Sequence, residues 1–161
     1  MYAADQALYN MQIQMWLAAG LSASSCPSLK WLISMGEPMP VQVLRTLQKR
    51  LPHSALFYGY GPAEAAVYQT VKIFKELGSH VHDGPIIVGK PLLNIHVYVV
   101  DSERQLVPVG VPGELLVSGV CLARGYLSRP DLTEQAFLPN RLIEDAQGYF
   151  SRMYCTGQSL L

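Results

Sequence analysis

Two short apolar runs on either side of an amphipathic segment constrain the first half of the chain more than any other feature. The run Leu29–Met35 is preceded by a proline and followed by Gly36, which is typical of a buried strand. The run Ala55–Phe57 begins a second strand that ends in a turn rich in Gly and Pro. Residues 7–19 predict a helix that ends at Gly20. A second helix is predicted between the strands, with four apolar residues on one face: Val43, Leu44, Leu47 and Leu51. This alternation predicts an α/β fold with a mostly parallel sheet.

The residue pattern changes near Gly84. Beyond it, Val97–Val100 and Leu115–Val117 are short runs rich in aliphatic residues and bounded by Gly and Pro, with a turn signal at Asp101–Glu103. Such runs predict hairpins in a small β-rich, barrel-like subdomain. We therefore expect an α/β part over residues 1–84 and a β-rich part over residues 85–161.

Composition excludes several classes of protein. The chain has 161 residues, a formal net charge of zero and 50% hydrophobic residues, which fits a domain with a real core. A neutral balance of charge argues against the basic patch that nucleic-acid binding requires, and no run reaches the roughly 18–20 apolar residues of a membrane span. The three widely spaced cysteines predict a reducing compartment. No nucleic-acid or membrane partner is expected, and the expected location is the cytoplasm.

Two loops at predicted strand ends carry residue types that bind small molecules. They are Met35–Pro38 after the first strand and Tyr58–Glu64 after the second. Ligands of open α/β sheets bind at the carboxyl ends of strands, so both loops can border one crevice. Glycines allow close backbone approach, Tyr60 offers an aromatic face to a base, and Glu64 is a possible Mg²⁺ ligand. Spacing alone favours a plainer alternative, which is a tight turn with a surface glutamate.

His80 and His82, with Asp83 beside them, form the other group of metal-binding residue types. Alternating residues of a strand point to one side, so both imidazoles can reach one ion. A polar loop is the favoured interpretation, because no further ligand is evident in the sequence.

Three segments resemble motifs of the adenylate-forming (AMP-binding) enzymes. Tyr58–Glu64 resembles the family's asparagine-x-tyrosine-glycine-proline-threonine-glutamate loop. Gly113–Leu127 matches its Gly-Glu-Leu…Ala-Arg-Gly-Tyr-Leu signature almost residue for residue, and Met153–Gln158 resembles its tyrosine-arginine-threonine-glycine-aspartate motif. The likeness runs from about Ser28 to the end and is greatest to the adenylation domains of nonribosomal peptide synthetases. Several motifs in one consistent order are far more specific than any single motif.

The resemblance implies a reaction, its cofactors and its partners. The carboxylate of an acid, expected to be an amino acid, attacks the α-phosphate of ATP bound with Mg²⁺. The products are an acyl-adenylate and pyrophosphate, and the acyl group then passes to the thiol of phosphopantetheine on a carrier protein or of coenzyme A. Flanking synthetase domains are further expected partners. Such chemistry depends on positioning and on neutralising charge.

The resemblance also assigns residues to roles. Tyr60 is expected to stack on adenine, and Glu64 is the expected catalytic residue and Mg²⁺ ligand. The expected nucleotide-binding residues are Gly36, Glu37, Pro38, Tyr58, Gly59, Tyr60, Gly61, Pro62, Ala63 and Gln158. The expected acid-binding residues are Ile33, Met35, Gly59, Val67 and Tyr68. Without the resemblance, Ile33, Met35 and Val67 would be interpreted as ordinary core.

The chain departs from the family pattern at four positions. Tyr58 and Ala63 replace the asparagine and threonine of the loop, and Cys155 and Gln158 replace the arginine and aspartate of the last motif. A neutral amide binds ribose hydroxyls less strongly than a carboxylate, because charge-assisted hydrogen bonds are about twice as strong. The family's phosphate-binding loop and its C-terminal lid with a lysine would lie outside these residues. We therefore expect a partial adenylation domain, truncated at the ribose-binding motif and inactive alone. The alternative is a degenerate module with at most weak nucleotide or partner binding.

Overall fold

The computed structural model describes residues 12–79, 86–143 and 148–160. These residues include two four-stranded sheets. The chain divides into two compact units, one of Met1–Gly61 with Thr70–Lys90, the other of Pro62–Gln69 with Pro91–Leu161. The short segment Pro62–Gln69 therefore belongs with the back half of the chain.

The first unit contains a helical segment over residues 12–18 and a mixed sheet. Its other elements are β1 (Trp31–Met35), α1 (Val41–Arg50), β2 (Ala55–Tyr60), β3 (Thr70–Phe74), a 3-10 turn (Leu77–Ser79) and β4 (Lys90–Pro91). The strand order is β1-β2-β3-β4. Strands β1 and β2 are parallel, whereas β3 runs antiparallel to β2.

The core of this unit forms as the helical periodicity predicts. Leu44 and Leu47 of α1 are fully buried, and they share one cluster with Leu32 of β1 and Leu56 of β2. Burying such a side chain contributes about 1.5–3 kcal/mol. The first helix ends at Gly20 as predicted, since this residue has a φ of +92° that suits glycine.

The described residues of the second unit include an antiparallel sheet, a short helix and the 3-10 turn Ala63–Ala65. Its elements are β5 (Ile95–Val100), β6 (Gly113–Gly119), α2 (Pro130–Ala136), β7 (Phe137–Pro139) and β8 (Arg152–Leu160), with strand order β5-β6-β8-β7. Asp101 forms the predicted turn, because its Oδ1 accepts hydrogen bonds from the N–H groups of Glu103 and Gln105, both at 2.9 Å. Val100, Leu116 and Met153 form a buried cluster.

The structure confirms the predicted class, an α/β part and a sheet-rich subdomain, but it corrects one expectation about the first sheet. Strands β1 and β2 are parallel, but β3 pairs antiparallel with β2. A parallel crossover needs a dozen or more residues and usually a helix, and the link between β2 and β3 is too short for that. Strand β3 therefore returns antiparallel. The boundary expected near Gly84 lies outside the described residues and stays a prediction, as do the first residues of the predicted N-terminal helix, 7–11. Within the described ranges, the helices are too short or too polar to cross a membrane.

Candidate functional site

The residues predicted to form the site fall into two groups, one in each unit. The first unit holds Ile33, Met35, Gly36, Glu37, Pro38, Tyr58, Gly59, Tyr60 and Gly61. The second unit holds Pro62, Ala63, Glu64, Val67, Tyr68 and Gln158. The division falls inside the Tyr58–Glu64 loop. The histidine cluster, His80, His82 and Asp83, lies outside the described residues.

In the first unit, the loops after β1 and β2 leave the same edge of the sheet. Parallel pairing sets Met35 opposite Gly59, close to the end of each strand. The chain then turns at Gly36, whose φ of +86° favours glycine. Gly36–Pro38 and Gly59–Gly61 are therefore neighbouring strand-end loops, as expected for a ligand site in an α/β sheet.

The Tyr58 side chain holds the first of these loops in place. Its hydroxyl accepts a hydrogen bond from the Met39 N–H at 3.0 Å and donates one to the Glu37 carbonyl at 3.3 Å. The ring is 3% exposed, and burial raises the pKa of the phenol above its usual value. Tyr58 therefore stays protonated and links β2 to the Glu37–Met39 loop. Its role in nucleotide binding stays a prediction.

Strand β1 turns one face to the core and the other outward. Leu32 and Ser34 are buried, whereas Ile33 is 54% exposed. Pairing places Ile33 beside Phe57 of β2, and Phe57 beside Ile73 of β3. Ile33 is therefore not ordinary core, and it lies on the same strand face as Met35, two residues further.

The loop after β2 enters the second unit through a 3-10 turn, Ala63–Ala65, and then adopts an unusual backbone. Ala66 and Val67 have φ values of +57° and +74°. This conformation costs roughly 1–3 kcal/mol for a non-glycine residue and is concentrated at functional sites. It leaves Val67 47% exposed, so this residue is not core either. The buried Gln69 side chain donates a hydrogen bond to the Ala65 carbonyl and helps to hold the loop.

Glu64 is fixed at both its backbone and its side chain. Its carbonyl accepts a hydrogen bond from the Ala123 N–H at 2.7 Å. Its Oε1 accepts one from the Tyr126 hydroxyl at 2.8 Å, and that hydroxyl lies 3.4 Å from the Tyr154 hydroxyl. Burial, with the Glu64 charge adding to it, raises the pKa of both phenols. Both therefore remain protonated at neutral pH and can donate hydrogen bonds.

Aromatic packing and one arginine hold Tyr126 in this position. Its ring contacts Phe137 edge-on at 5.8 Å, and Phe137 in turn packs on Tyr154 at 5.0 Å. The Arg152 guanidinium lies 4.9 Å above Phe137 and donates hydrogen bonds to the Ala123 and Arg124 carbonyls. The strands β7 and β8 thus support the segment that carries Tyr126.

Glu64 fits a metal ion that arrives with a nucleotide better than a metal ion held by the protein alone. The described part of the chain contains no group of three or more His, Cys, Asp or Glu side chains that could bind a metal. Mg²⁺ usually keeps several waters and is held by one or two carboxylates together with substrate phosphates. The single carboxylate of Glu64 matches this second type of site.

Gln158 is exposed and lies near the end of β8, where the pairing with β6 shifts in register. Its N–H donates a hydrogen bond to Thr156 Oγ1 at 3.1 Å, and Thr156 donates to the Leu115 carbonyl. Gly157 has a φ of +67° and donates its N–H to Glu114 at 3.1 Å. The backbone of the last motif is therefore fixed by β6, whatever side chain stands at position 158.

Sequence reasoning missed the roles of Tyr126, Arg152 and Tyr154. Tyr126 and Tyr154 stand inside two of the three family-like motifs. The residue pattern alone, however, suggested no chemical role for the Gly113–Leu127 segment. The only available signal was their presence in motifs that resemble a family of enzymes.

Comparison with known proteins gives a consistent result. A model of the family described as AMP-binding enzyme matches residues 6–127. The chain is 44% identical over 123 residues to a linear gramicidin synthase of Brevibacillus parabrevis, covering 76% of this chain and 2% of that protein. It is 38% identical over 122 residues to tyrocidine synthase 3 of the same organism, again covering 76% of this chain and 2% of that protein.

Solved structures show the same relation. The structure of holo-PA1221, a nonribosomal peptide synthetase protein containing adenylation and PCP domains, superposes with a TM-score of 0.73 at 25% identity. That match covers 94% of this chain and 24% of PA1221. The N-terminal subdomain of Klebsiella oxytoca NpsA has the same fold, with a TM-score of 0.64 at 23% identity over 81% of this chain and 30% of that one. The chain thus spans a small part of the proteins it matches.

Proposed function

Because the chain belongs to the AMP-binding enzyme family, we propose that it forms part of an adenylation domain and binds the adenine nucleotide and the acid to be activated. One observation carries the proposal above all others. Three motifs that are far apart in the sequence supply Glu64, Tyr126 and Tyr154, and these side chains form one hydrogen-bonded group. A surface glutamate in a plain turn would not need two phenols from two other motifs.

The proposed reaction of the whole domain is the activation of a carboxylic acid, most simply an amino acid, by ATP. The acid's carboxylate oxygen forms a bond to the α-phosphorus, the bond from that phosphorus to the bridging oxygen breaks, and pyrophosphate leaves with the electron pair. The acyl-adenylate then reacts with a thiol, with AMP as the leaving group. The relatives named as gramicidin and tyrocidine synthases and the PCP domain of PA1221 support a carrier-protein thiol as the acceptor.

Within this reaction, the residues of this chain bind and orient. Tyr60 is proposed to stack on adenine, with the Gly36–Pro38 loop along the edge of the base. Glu64 is proposed to hold Mg²⁺, which when bound neutralises charge on the phosphates. Ile33 and Met35, and Val67 and Tyr68, are proposed to contact the acid. The proposed location is the cytoplasm.

A second candidate is a module of this family that has lost its chemistry but keeps weak nucleotide or partner binding. Ala63 and Gln158 favour it, because neither side chain offers the hydroxyl or the carboxylate found in the family motif. Losing a charge-assisted bond to ribose costs on the order of 1–2 kcal/mol, about tenfold or more in affinity.

Nucleotide binding by the purified chain tests what the two candidates share. We expect ATP to bind weakly, near the millimolar range or about −4 kcal/mol, in a calorimetric titration. Tyr60→Ala should raise the dissociation constant about tenfold, since stacking of a base on an aromatic side chain is worth roughly 1–3 kcal/mol. Tyr149→Ala is the matched control, because this tyrosine is 58% exposed and has no proposed role. Equal affinities for the wild type and the Tyr60 variant would refute the assignment of the adenine site.

A further inference from the structure

We propose that Tyr126 is a positioning residue that holds the Glu64 carboxylate in the orientation in which it meets the metal ion of a bound nucleotide, and that Tyr154 supports Tyr126. The inference rests on the function proposed above for Glu64. It assigns two residues to that site which neither the sequence pattern nor the family resemblance had included.

Proton counting fixes the direction of the hydrogen bonds. An ionised carboxylate can only accept, so the Tyr126 hydroxyl must donate its one proton to Glu64 Oε1 at 2.8 Å. In the contact between the two hydroxyls, at 3.4 Å, Tyr154 must therefore be the donor. The group forms a one-way chain from Tyr154 through Tyr126 to Glu64, and each donor is polarised by the next bond.

The contact determines how Glu64 can bind a metal. The hydrogen bond from Tyr126 takes one acceptor site of Oε1 and fixes the orientation of the carboxylate, whose other acceptor sites are then held in a defined direction. Mg²⁺ requires near-ideal octahedral geometry, so a carboxylate held in one orientation suits it better than a freely rotating one. Hydrogen-bond partners of ligating carboxylates typically change metal affinity 10- to 100-fold when removed.

The contacts of Tyr126 allow the role of its hydroxyl to be tested separately from the role of its ring. The Tyr126 ring packs on Phe137, and the Tyr126 N–H donates to Thr133 Oγ1 at 2.9 Å. Both contacts persist in Tyr126→Phe, which removes only the oxygen that meets Glu64. The phenylalanine variant therefore tests positioning and leaves the packing of the ring unchanged.

The experiment measures binding of Mn·ATP, with Mn²⁺ as the probe for the divalent ion, to the full 161-residue chain. Enhancement of water-proton relaxation reports the dissociation constant for Mn·ATP, and saturation-transfer NMR in EDTA reports the one for metal-free ATP. We expect Glu64→Gln to lose the preference for Mn·ATP. We expect Tyr126→Phe to raise the dissociation constant for Mn·ATP about tenfold while leaving that for metal-free ATP unchanged. Tyr154→Phe should have a smaller effect of the same kind, about threefold.

Two comparisons complete the design. Tyr149→Phe is the matched control and should equal the wild type, because Tyr149 is exposed and outside this hydrogen-bonded group. Glu64→Gln combined with Tyr126→Phe should equal Glu64→Gln alone, since a positioning residue has no effect without the group it positions. Urea unfolding of each variant checks that it is folded, and Tyr154→Phe serves as the test if Tyr126→Phe does not fold.

The possible failures are distinguishable. If wild type and Glu64→Gln bind Mn·ATP equally, the metal-binding function proposed for Glu64 is wrong, and the role of Tyr126 is wrong with it. If Glu64→Gln weakens binding but Tyr126→Phe does not, the function stands and the positioning role is overturned. If Tyr126→Phe weakens binding of Mn·ATP and of metal-free ATP by the same factor, its role is structural and the inference is also overturned.

Discussion

The Tyr58 hydroxyl makes two hydrogen bonds, and the structure allows the effect of their loss on stability to be worked out directly. Tyr58→Phe removes the acceptor for the Met39 N–H and the donor to the Glu37 carbonyl, and keeps the buried ring. A typical hydrogen bond contributes about 1 kcal/mol net, and a buried group left without a partner costs about 1–3 kcal/mol. Met39 is 4% exposed, so water cannot easily replace the lost acceptor at its N–H. We therefore expect the free energy of unfolding to fall by about 2 kcal/mol.

The assay is urea unfolding followed by tyrosine and tryptophan fluorescence, with Tyr149→Phe as the control for the loss of a phenol. The midpoint should fall with an unchanged slope, because unfolding exposes the same amount of surface in the variant as in the wild type. Affinity for ATP should fall as well, since the Glu37–Met39 loop loses its link to β2. A change in unfolding free energy below about 0.5 kcal/mol would refute the reasoning and would mean that the loop is held by other contacts.

Three further outcomes are expected. Burial raises the pKa of Tyr58 above its ordinary 10.0, so the folded chain keeps this proton more tightly than the unfolded chain. This contribution to the free energy of unfolding is fully present below pH 10 and is lost above it, at no more than about 1.4 kcal/mol per pH unit. The free energy of unfolding of Tyr58→Phe, measured against pH, should therefore fall less steeply above pH 10. Gly89→Ala should lower the free energy of unfolding by about 2 kcal/mol or more, because φ is +87° and an added Cβ would lie 1.9 Å from the Val71 carbonyl oxygen. Gly110 has the same φ, but no atom lies within 4 Å of an added Cβ, so Gly110→Ala should lower it less in the same assay. Finally, the chain alone should show no acid-dependent exchange of pyrophosphate into ATP above a Glu64→Ala control, since Ala63 and Gln158 lack the family's polar groups; clear exchange with any acid of a mixed panel would show it to be an active enzyme.

Local patterns predicted those parts of the fold that local forces determine. The α1 leucines and the Gly20 helix end follow from helical periodicity and from the left-handed conformation that glycine accepts. The antiparallel return of β3 did not follow from its own residues. It depends on the length of the link before it, and no residue pattern assigned the Thr70–Phe74 strand in advance.

The candidate site was predictable in part for a similar reason. Glu64 and Tyr60 stand in a loop whose residue types suggest ligand binding, and the family resemblance gave them roles. Tyr126 and Tyr154 act on Glu64 across separations of 62 and 90 residues, and a single sequence contains no measure of such distances. Tyr126 lies in a loop and Tyr154 on a strand, and only the folded chain distinguishes a phenol that donates to a carboxylate from one that is simply packed.

Two of the four positions where this chain departs from its family differ physically from Tyr154, which matches the family motif. Ala63 and Gln158 are exposed, so replacing a threonine or an aspartate there leaves no buried group without a partner and costs the fold little. Tyr154, in contrast, is 7% exposed and is tied to Glu64 through Tyr126, so its loss would destabilise the second unit as well as any site. Replacing Tyr154 would therefore change stability, whereas replacing the exposed groups should affect mainly ligand binding. Stability measurements cannot then separate a working adenylation segment from a degenerate one. Acid-dependent exchange of pyrophosphate into ATP can, because it requires the chemical step, whereas nucleotide binding is common to both candidates.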